Sequence, residues 1–548
     1  MGQKTEVIVP EPKEELVNLT IDDQNIQVPK GTLLIEAAKA LGIQIPHYCY
    51  HPGLSVVGSC RMCLVEIEKA PKLQPSCATG AAEGMVVRTR TPETLRNRRS
   101  VLEFLLLNHP LDCPVCDQAG ECELQNYYME HGLYDARFNE NKTKRKKATP
   151  IGPRIILDQE RCILCTRCIR FTREISKTAE LGVIDRGHRS AIDVYPGFEL
   201  DNPYSGNVAD ICPVGALTDR DFRFKCRVWF LASAPSICPG CSRGCNVEVH
   251  FNKRFNPRYH DQRVHRLKPR YNPEVNGFWI CDEGRYAYHS IDAANRLNAP
   301  LIKRDGTYQR VTWEEAIRET ATLLRKALEA HGPGGVAVLA SPQMTNEELF
   351  GIRRIFRDQL QIEQIGFRVK SKAKVYSDDF LVTSDKNPNT KGAETINTGE
   401  ISSEDLLRLC SEGHIHFLHV FHHDLIRGYE PQYVRDALGK VDSVIFEGPW
   451  DQPTAALADI QLPAAVYAEK EGTFTNFQGR VQKFQCAVPP IGESLPDLDI
   501  LRQLAGDLGI SPVSASAAEV FEAIGQQIGA FSGMTYQTLG DRGQLLNP

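Results

Sequence analysis

Fifteen of the 18 cysteines, with one histidine, fall into four groups within residues 49–281. The first is Cys49, Cys60, Cys63 and Cys77 (C-x10-C-x2-C-x13-C). The second is His109, Cys113, Cys116 and Cys122 (H-x3-C-x2-C-x5-C). The third is Cys162, Cys165, Cys168 and Cys212 (C-x2-C-x2-C-x43-C-P). The fourth is Cys238, Cys241, Cys245 and Cys281 (C-x2-C-x3-C-x35-C). Thiolates are soft ligands, and four at such spacings suit an iron–sulfur cluster. Four complete sets in one chain imply storage and passage of single electrons, as in a wire or the wired part of an enzyme.

The sets differ in type. The first is close to the plant-type [2Fe–2S] pattern, with a first gap of ten residues rather than four. Its loop, HPGLSVVGSC, is punctuated by Gly and Ser, so backbone N–H groups can point at sulfur and raise the potential of the site. The second reads as a [4Fe–4S] site in which His109 replaces a thiolate and makes the site less negative. A Cys₃His zinc site is the competing reading. The third carries RCILCTRC, three thiolates for three corners of one cubane. The position of the next ferredoxin cysteine is Thr172, so the fourth ligand is sought at Cys212. The fourth set reads as a further [4Fe–4S] site, against a zinc knuckle or a site that has lost its cluster. Cys226, Cys410 and Cys486 read as free buried thiols. The stretch His414–His423 reads as strand and strand-end histidines of an α/β sheet rather than a metal site. There is no P-loop and no G-x-G-x-x-G.

Elements must position these groups. Val17, Leu19 and Ile21 alternate, Asp22-Asp23 turns the chain, and Ile26 and Val28 alternate again. Thr32 is placed to cap a helix through Ile35, Ala38 and Leu41, stopped by Gly42. Residues 92–108 read as a second helix with Pro92 in its first turn, and His109 follows its end. Residues 139–150, with Lys142, Lys144, Arg145, Lys146 and Lys147, read as a solvated linker, or else as a contact for an acidic partner surface. Beyond about residue 295, strands and helices alternate: a helix at Trp313–His331, a strand at Val336–Ala340, a helix at Asn346–Gln359, and strands at His416–Phe421 and Val444–Phe446. That pattern implies a parallel sheet covered on both faces. Residues 374–402 read as a polar loop or excursion.

Composition sets bounds. The 548 residues suffice for about three to five domains, with 42% hydrophobic and 24% charged residues. A net charge of −5 argues against nucleic acid as a bulk partner. No apolar run approaches the roughly 20 residues that cross a bilayer. The N-terminal residues lack an apolar signal core and are too acidic for a transit peptide, and Glu6 breaks the myristoylation pattern. Cysteines in such a chain are expected as metal-held thiolates rather than disulfides.

The order of the four sets, with RRSVLEFLLLNHPLDCPVCDQAGECELQ and RCILCTRCIRF between them, closely resembles the G subunit of bacterial NADH–quinone oxidoreductase, the large iron–sulfur subunit of respiratory complex I. The resemblance implies that Cys49, Cys60, Cys63 and Cys77 hold the [2Fe–2S] cluster that receives electrons from a flavin-bearing, NADH-oxidising partner. Cys162, Cys165, Cys168 and Cys212 would hold the next carrier, and His109, Cys113, Cys116 and Cys122 the one that hands on to downstream iron–sulfur subunits. The set Cys238, Cys241, Cys245 and Cys281 matches an extra cubane of some bacterial members, thought to lie off the main chain of carriers. From about residue 236 onward, the fourth motif, VTWEEAI and LPAAVYAEKEGTFTNFQGRVQ resemble the molybdopterin oxidoreductases. The region after residue 300 is only about 250 residues long, and Cys410, in LLRLCSEGH, does not resemble a metal-ligand loop, so a scaffold without molybdenum is expected.

The resulting expectation is a multidomain α+β and α/β chain. A β-grasp [2Fe–2S] ferredoxin-like domain spans 15–90, a His-Cys₃ [4Fe–4S] domain 91–150, and a [4Fe–4S] ferredoxin-like domain 151–230. A molybdopterin-oxidoreductase-type [4Fe–4S] domain spans 231–295 and a truncated α/β domain of that family 296–548. The resemblance places the chain in the peripheral arm, on the cytoplasmic face of the inner membrane, reaching the membrane only through the complex and supplying no catalytic acid or base. The alternative is the iron–sulfur subunit of a soluble NAD-linked hydrogenase or formate dehydrogenase. Against it, no cysteine group follows Cys281, and the molybdenum domain is too short.

Overall fold

The computed structural model describes residues 15–253, 262–370, 375–511, 514 and 516–548; the N-terminal residues 1–14, in which no targeting segment is expected, lie outside them. The chain divides into two compact units, Met1–Trp229 and Phe230–Pro548. Among the described residues no helix is long and apolar enough to cross a membrane.

In the first unit the alternation at residues 17–21 becomes the strand Leu16–Ile21, whose Val17, Leu19 and Ile21 are buried. It pairs antiparallel with Gln24–Pro29 and parallel with Met85–Arg88. Asp22 and Asp23 both take positive φ in the turn between, a conformation that short polar side chains tolerate. Leu64–Ile67 and Gln74–Pro75 complete a five-stranded sheet. The helix Leu34–Ala40 packs on it through Leu34, Ile35, Ala37 and Ala38. Its N-cap is Leu33, not Thr32; the Thr32 hydroxyl instead donates to the Pro29 carbonyl at 2.7 Å. Pro92–Leu106 is helical, with Thr91 as its side-chain cap, and Glu123–His131 packs beside it. Two further helices, Arg167–Glu174 and Asn207–Ile211, stand with a three-stranded sheet of Leu217–Asp219, Ile155–Leu157 and Thr149–Pro150.

The basic run is not a free linker. Lys142 Nζ donates to the carbonyls of Leu106 and Leu107 at 2.6 and 3.1 Å, satisfying a helix C-terminus whose acceptors lack partners of their own. Lys147 pairs with Asp112, and with Glu160 at 2.9 Å. Arg145 donates to the carbonyls of Ser190 and His188.

The second unit begins with an antiparallel sheet of Leu231–Ile237, Asn246–Asn252 and Val264–Pro269. A seven-stranded sheet follows, in the order Thr307–Arg310, Leu301–Arg304, Ile460–Pro463, Ser443–Gly448, Phe417–Phe421, Val336–Leu339, Ile365–Gly366. From Ile460–Pro463 onward the neighbours are parallel; the first two strands are antiparallel, so the expected parallel sheet is mixed at one edge. In Val336–Leu339 every residue is buried. Val336 and Val338 enter one core, with the helices Trp313–His331, Asp497–Leu508 and Ala517–Gln527. Ala337 and Leu339 enter another, with Ser403–Ser411 and Pro431–Leu438. Both faces are therefore covered, each fully buried large side chain contributing about 1.5–3 kcal/mol. The helix expected over Asn346–Gln359 is α-helical to Ile352 and then widens to a π-helical stretch, Arg353–Gln359. Residues 374–402 are not wholly loop, since Thr390–Ile396 is helical.

Charges are buried at the C-terminal edge of this sheet. Lys470 Nζ lies 2.7 Å from Glu348 Oε1 and 2.8 Å from Asp497 Oδ2, all three side chains almost wholly enclosed. Burial alone would raise the Asp497 carboxyl, but the adjoining His422 imidazole and Lys470 ammonium outweigh it and hold the group well below the usual carboxylate range. Replacing Lys470 with Met leaves Glu348 enclosed without its cation and Asp497 with His422 alone, a loss of about 3–5 kcal/mol. Lys470→Met should lower the thermal unfolding midpoint of the second unit, followed by circular dichroism, at unchanged iron content.

Candidate functional site

In the first of the four expected ligand sets, Cys49, Cys63 and Cys77 are buried and Cys60 is half-buried. Hydrogen bonding to Cys60 and Cys77 draws the Cys49 thiol far below its ordinary value, and hydrogen bonding to Cys49 and Cys63 pushes Cys77 up. All four sulfurs therefore meet at one place.

In the third set the turn through RCILCTRC has Leu164 and Thr166 at positive φ. This wrapped backbone brings the Leu164 N–H to 3.4 Å from Cys162 Sγ. Cys162, Cys165, Cys168 and Cys212 line one pocket whose other walls include Leu157, Ile192 and Leu217. Burial pushes the Cys162 and Cys165 thiols up to about 12 and Cys168 well above its ordinary value.

In the second set Cys116 and Cys122 are both pushed up by burial, with Cys113 close to each. Cys113 itself is exposed. The His109 imidazole is half-buried just past the helix end, and desolvation lowers its pKa to about 4, which leaves a neutral ring able to act as a ligand. Arg227 braces the loop by donating to the Cys116 and Pro114 carbonyls at 2.5 and 2.7 Å.

In the fourth set all four cysteines are buried. Cys238 N–H donates to the Cys245 carbonyl at 2.8 Å, and Gly284 N–H points at Cys281 Sγ at 3.3 Å. A Cβ on Gly284 would lie 2.8 Å from Cys238 Sγ, so only glycine lets the backbone come this close to the sulfurs. Burial pushes Cys281 up to about 11 and Cys245 well above its usual value.

The donors fit iron–sulfur clusters. Three or four sulfurs come together in each set, with apolar walls around the third and backbone N–H groups aimed at sulfur in the third and fourth, and a buried ionised thiolate requires a cationic centre. A molybdenum ligand is not similarly provided by Cys410, which sits in the apolar core under the seven-stranded sheet. Its thiol is pushed up to about 12 by burial. Cys226 is also buried, whereas Cys486 is exposed, contrary to expectation.

Contacts between the sets are the feature that spacing could not reveal. Arg170, in the helix Arg167–Glu174 that carries Cys168, donates to the Cys49 carbonyl at 2.5 Å and to the Cys165 carbonyl at 3.3 Å. Arg167 donates to the Tyr50 and Ile211 carbonyls at 2.7 and 3.1 Å. A Cβ on Gly215 would lie 2.4 Å from Cys116 Sγ, so the loop after Cys212 presses against the second set. A single apolar core of Tyr48, Met62, Leu102, Leu124, Val214 and Ala216 has Cys60, Cys122, Cys162, Cys165 and Cys212 packed against it. The arginines stand in the phrase CTRCIR, but nothing local marks which carbonyls they reach.

The chain matches sequence families described as 2Fe-2S iron-sulfur cluster binding domain (residues 14–92), NADH-ubiquinone oxidoreductase-G iron-sulfur binding region (98–137) and NADH-quinone oxidoreductase subunit 3, ferredoxin-like domain (152–218). It further matches Molybdopterin oxidoreductase Fe4S4 domain (231–293) and Molybdopterin oxidoreductase (296–389 and 391–507). It is 30% identical to an NADH-quinone oxidoreductase G subunit of Rickettsia felis, over 90% of this chain and 88% of the relative. It is 40% identical to a G subunit of Streptomyces coelicolor, over 66% of this chain and 41% of the relative. It is 42% identical to an NADH-ubiquinone oxidoreductase 75 kDa subunit of Reclinomonas americana, over 55% of this chain and 42% of the relative. The matched part thus spans about two-fifths of the length of these last two relatives.

Replacing Arg170 with Ala removes a side chain that ties the Cys49 and Cys165 backbones together. The expected result is slower electron transfer between the first and third sets and a weaker magnetic coupling between them in pulsed EPR, at unchanged iron content. An unchanged rate and coupling would mean that Arg170 does not set this spacing.

Proposed function

The chain belongs to the G-subunit family of NADH-quinone oxidoreductases, and from that premise we propose that it is the electron-relay subunit of such a complex, holding one [2Fe–2S] and three [4Fe–4S] clusters. Cys49, Cys60, Cys63 and Cys77 would hold the [2Fe–2S] cluster. The [4Fe–4S] clusters would be held by Cys162, Cys165, Cys168 and Cys212, by His109, Cys113, Cys116 and Cys122, and by Cys238, Cys241, Cys245 and Cys281. Bound there, the clusters supply reversible storage of single electrons. The observation that carries this reading is the shared apolar core, against which cysteines of the first three sets pack.

The chain's own residues do positional work. Tyr48, Met62, Leu102 and Leu124 keep the space between the sets dry. Arg170 and Arg167 fix the backbone of the first set against the third. Gly215 admits the Cys212 loop against Cys116. The wrapped N–H groups at Leu164 and Gly284 donate to sulfur, which stabilises a more negative site and raises its potential.

The five-domain division at 15–90, 91–150, 151–230, 231–295 and 296–548 accompanies this proposal, each cysteine set lying in its own segment. The partners would be the flavin-bearing, NADH-oxidising subunit beside the first set and further iron–sulfur subunits beside the second. The protein would sit in the peripheral arm on the cytoplasmic face of the inner membrane. The α/β part, with Cys410 enclosed, would brace the assembly without molybdenum.

In the assembled complex, Cys63→Ser and Cys165→Ser should each abolish NADH–quinone electron transfer while NADH binding at the partner subunit stays unchanged. Full activity in either variant would overturn the proposal.

A further inference from the structure

Away from the cysteine sets, three metal-ligating side chains meet at the N-terminal edge of the seven-stranded sheet. His331 is the last residue of the helix Trp313–His331. His416 and Asp442 immediately precede the neighbouring parallel strands Phe417–Phe421 and Ser443–Gly448. One ligand atom from each lies within 4.8 Å of the others. His416 Nδ1 is 2.8 Å from Asp442 Oδ2. The His331 and His416 rings stack with centroids 3.4 Å apart and planes 8° apart.

Rigid elements place the group. The His416 N–H donates to the Gly335 carbonyl at 2.8 Å, and the Ser443 N–H donates to the His416 carbonyl at 3.1 Å, so the ladder sets His416 beside Asp442. The turn Gly332–Gly335 returns the chain so tightly that a Cβ on Gly335 would lie 2.5 Å from His331 Cβ, which sets the helix end over the same spot.

An ion pair of His416 with Asp442 accounts for two of the three groups and gives His331 no part. A divalent cation accounts for all three, taking a lone pair from each imidazole and neutralising the carboxylate. It would also sit at the C-terminal end of a 19-residue helix, where the aligned peptide dipoles favour positive charge. His331 is exposed and His416 half-buried, so an ion can enter and water can complete its coordination. The parallel rings must splay for both nitrogens to reach one ion, and His331, at an exposed helix end, can turn to allow it.

We propose that His331, His416 and Asp442 form a surface site for a divalent cation of the zinc class, with two imidazole nitrogens and one carboxylate oxygen as ligands. The ion would tie a helix end to two strand starts and stabilise the folded second unit by binding it alone. The site stands independently of whether the cysteine sets carry electrons.

The test loads the anaerobically purified, iron-containing chain with zinc, removes free metal, and measures zinc and iron together. The expected result is zinc bound beyond the iron sites, with a zinc-edge X-ray absorption spectrum showing a nitrogen/oxygen shell at about 2.0–2.1 Å and no sulfur shell at about 2.3 Å. That zinc should be lost in His416→Ala and in His331→Ala with iron unchanged, each weakening binding by more than the about 10–100-fold typical of losing an outer-shell partner. His331→Ala, at an exposed helix end, keeps the test open if His416→Ala does not fold. Undiminished zinc binding in a folded variant, or a sulfur shell around the zinc, would overturn the proposal.

Discussion

A thiolate enclosed by apolar side chains is unfavourable unless a positive centre lies beside it, and each of the four cysteine sets has members buried where that constraint applies. Burial pushes Cys168, Cys212, Cys238 and Cys245 up. The same burial that penalises bare thiolates makes the sites suitable for iron: it excludes water and leaves sulfur as the donor, with N–H groups supplying partial positive charge. The short strands and helices of the first unit add little regular structure of their own. Cys63 and Cys77 lie in the apolar core of the five-stranded sheet.

Relay through such a chain depends on spacing as much as on ligands. Here spacing is set by backbone contacts. One guanidinium, Arg170, reaches carbonyls in two cysteine loops at once, and one glycine, Gly215, lets a third loop close on Cys116. Neither offers a ligand of its own. Planar, multiply donating arginine suits this task because it satisfies several carbonyls in one fixed geometry. The second unit arranges its charges differently, with Arg296 and Arg263 sharing the enclosed Glu469 at 2.7 and 2.6 Å and Lys470 between two carboxylates.

What could be read in advance was local. The helix Trp313–His331 matches its expected bounds because Thr312 accepts from the Glu315 N–H and Gly332 follows its end. The strand at Val336 was legible because a short run of apolar residues buried on both faces needs no alternation. What escaped was nonlocal. Lys142 and Lys147 read as solvated because their partners, Leu106, Leu107, Asp112 and Glu160, are set by how the chain returns on itself. Thr32 read as a cap, but its hydroxyl is engaged by Pro29. The histidine-rich stretch read as strand and strand-end residues, which holds: His419 lies in the strand Phe417–Phe421, and His416, His422 and His423 flank it. His416 stands just before the strand, and its meeting with His331 follows from sheet order, which no spacing encodes. Cysteine grouping was legible because thiol ligands cluster in short loops; the contacts between groups were not, because they join loops far apart in sequence.

The central claim is that the four sets each hold an iron–sulfur cluster. Elemental analysis of the anaerobically purified chain, for iron, acid-labile sulfide, zinc and molybdenum, tests it most directly. The account predicts about 14 irons per chain, matched by sulfide, and no stoichiometric molybdenum. About 10 irons, zinc in place of iron at a cysteine set, or stoichiometric molybdenum would contradict it.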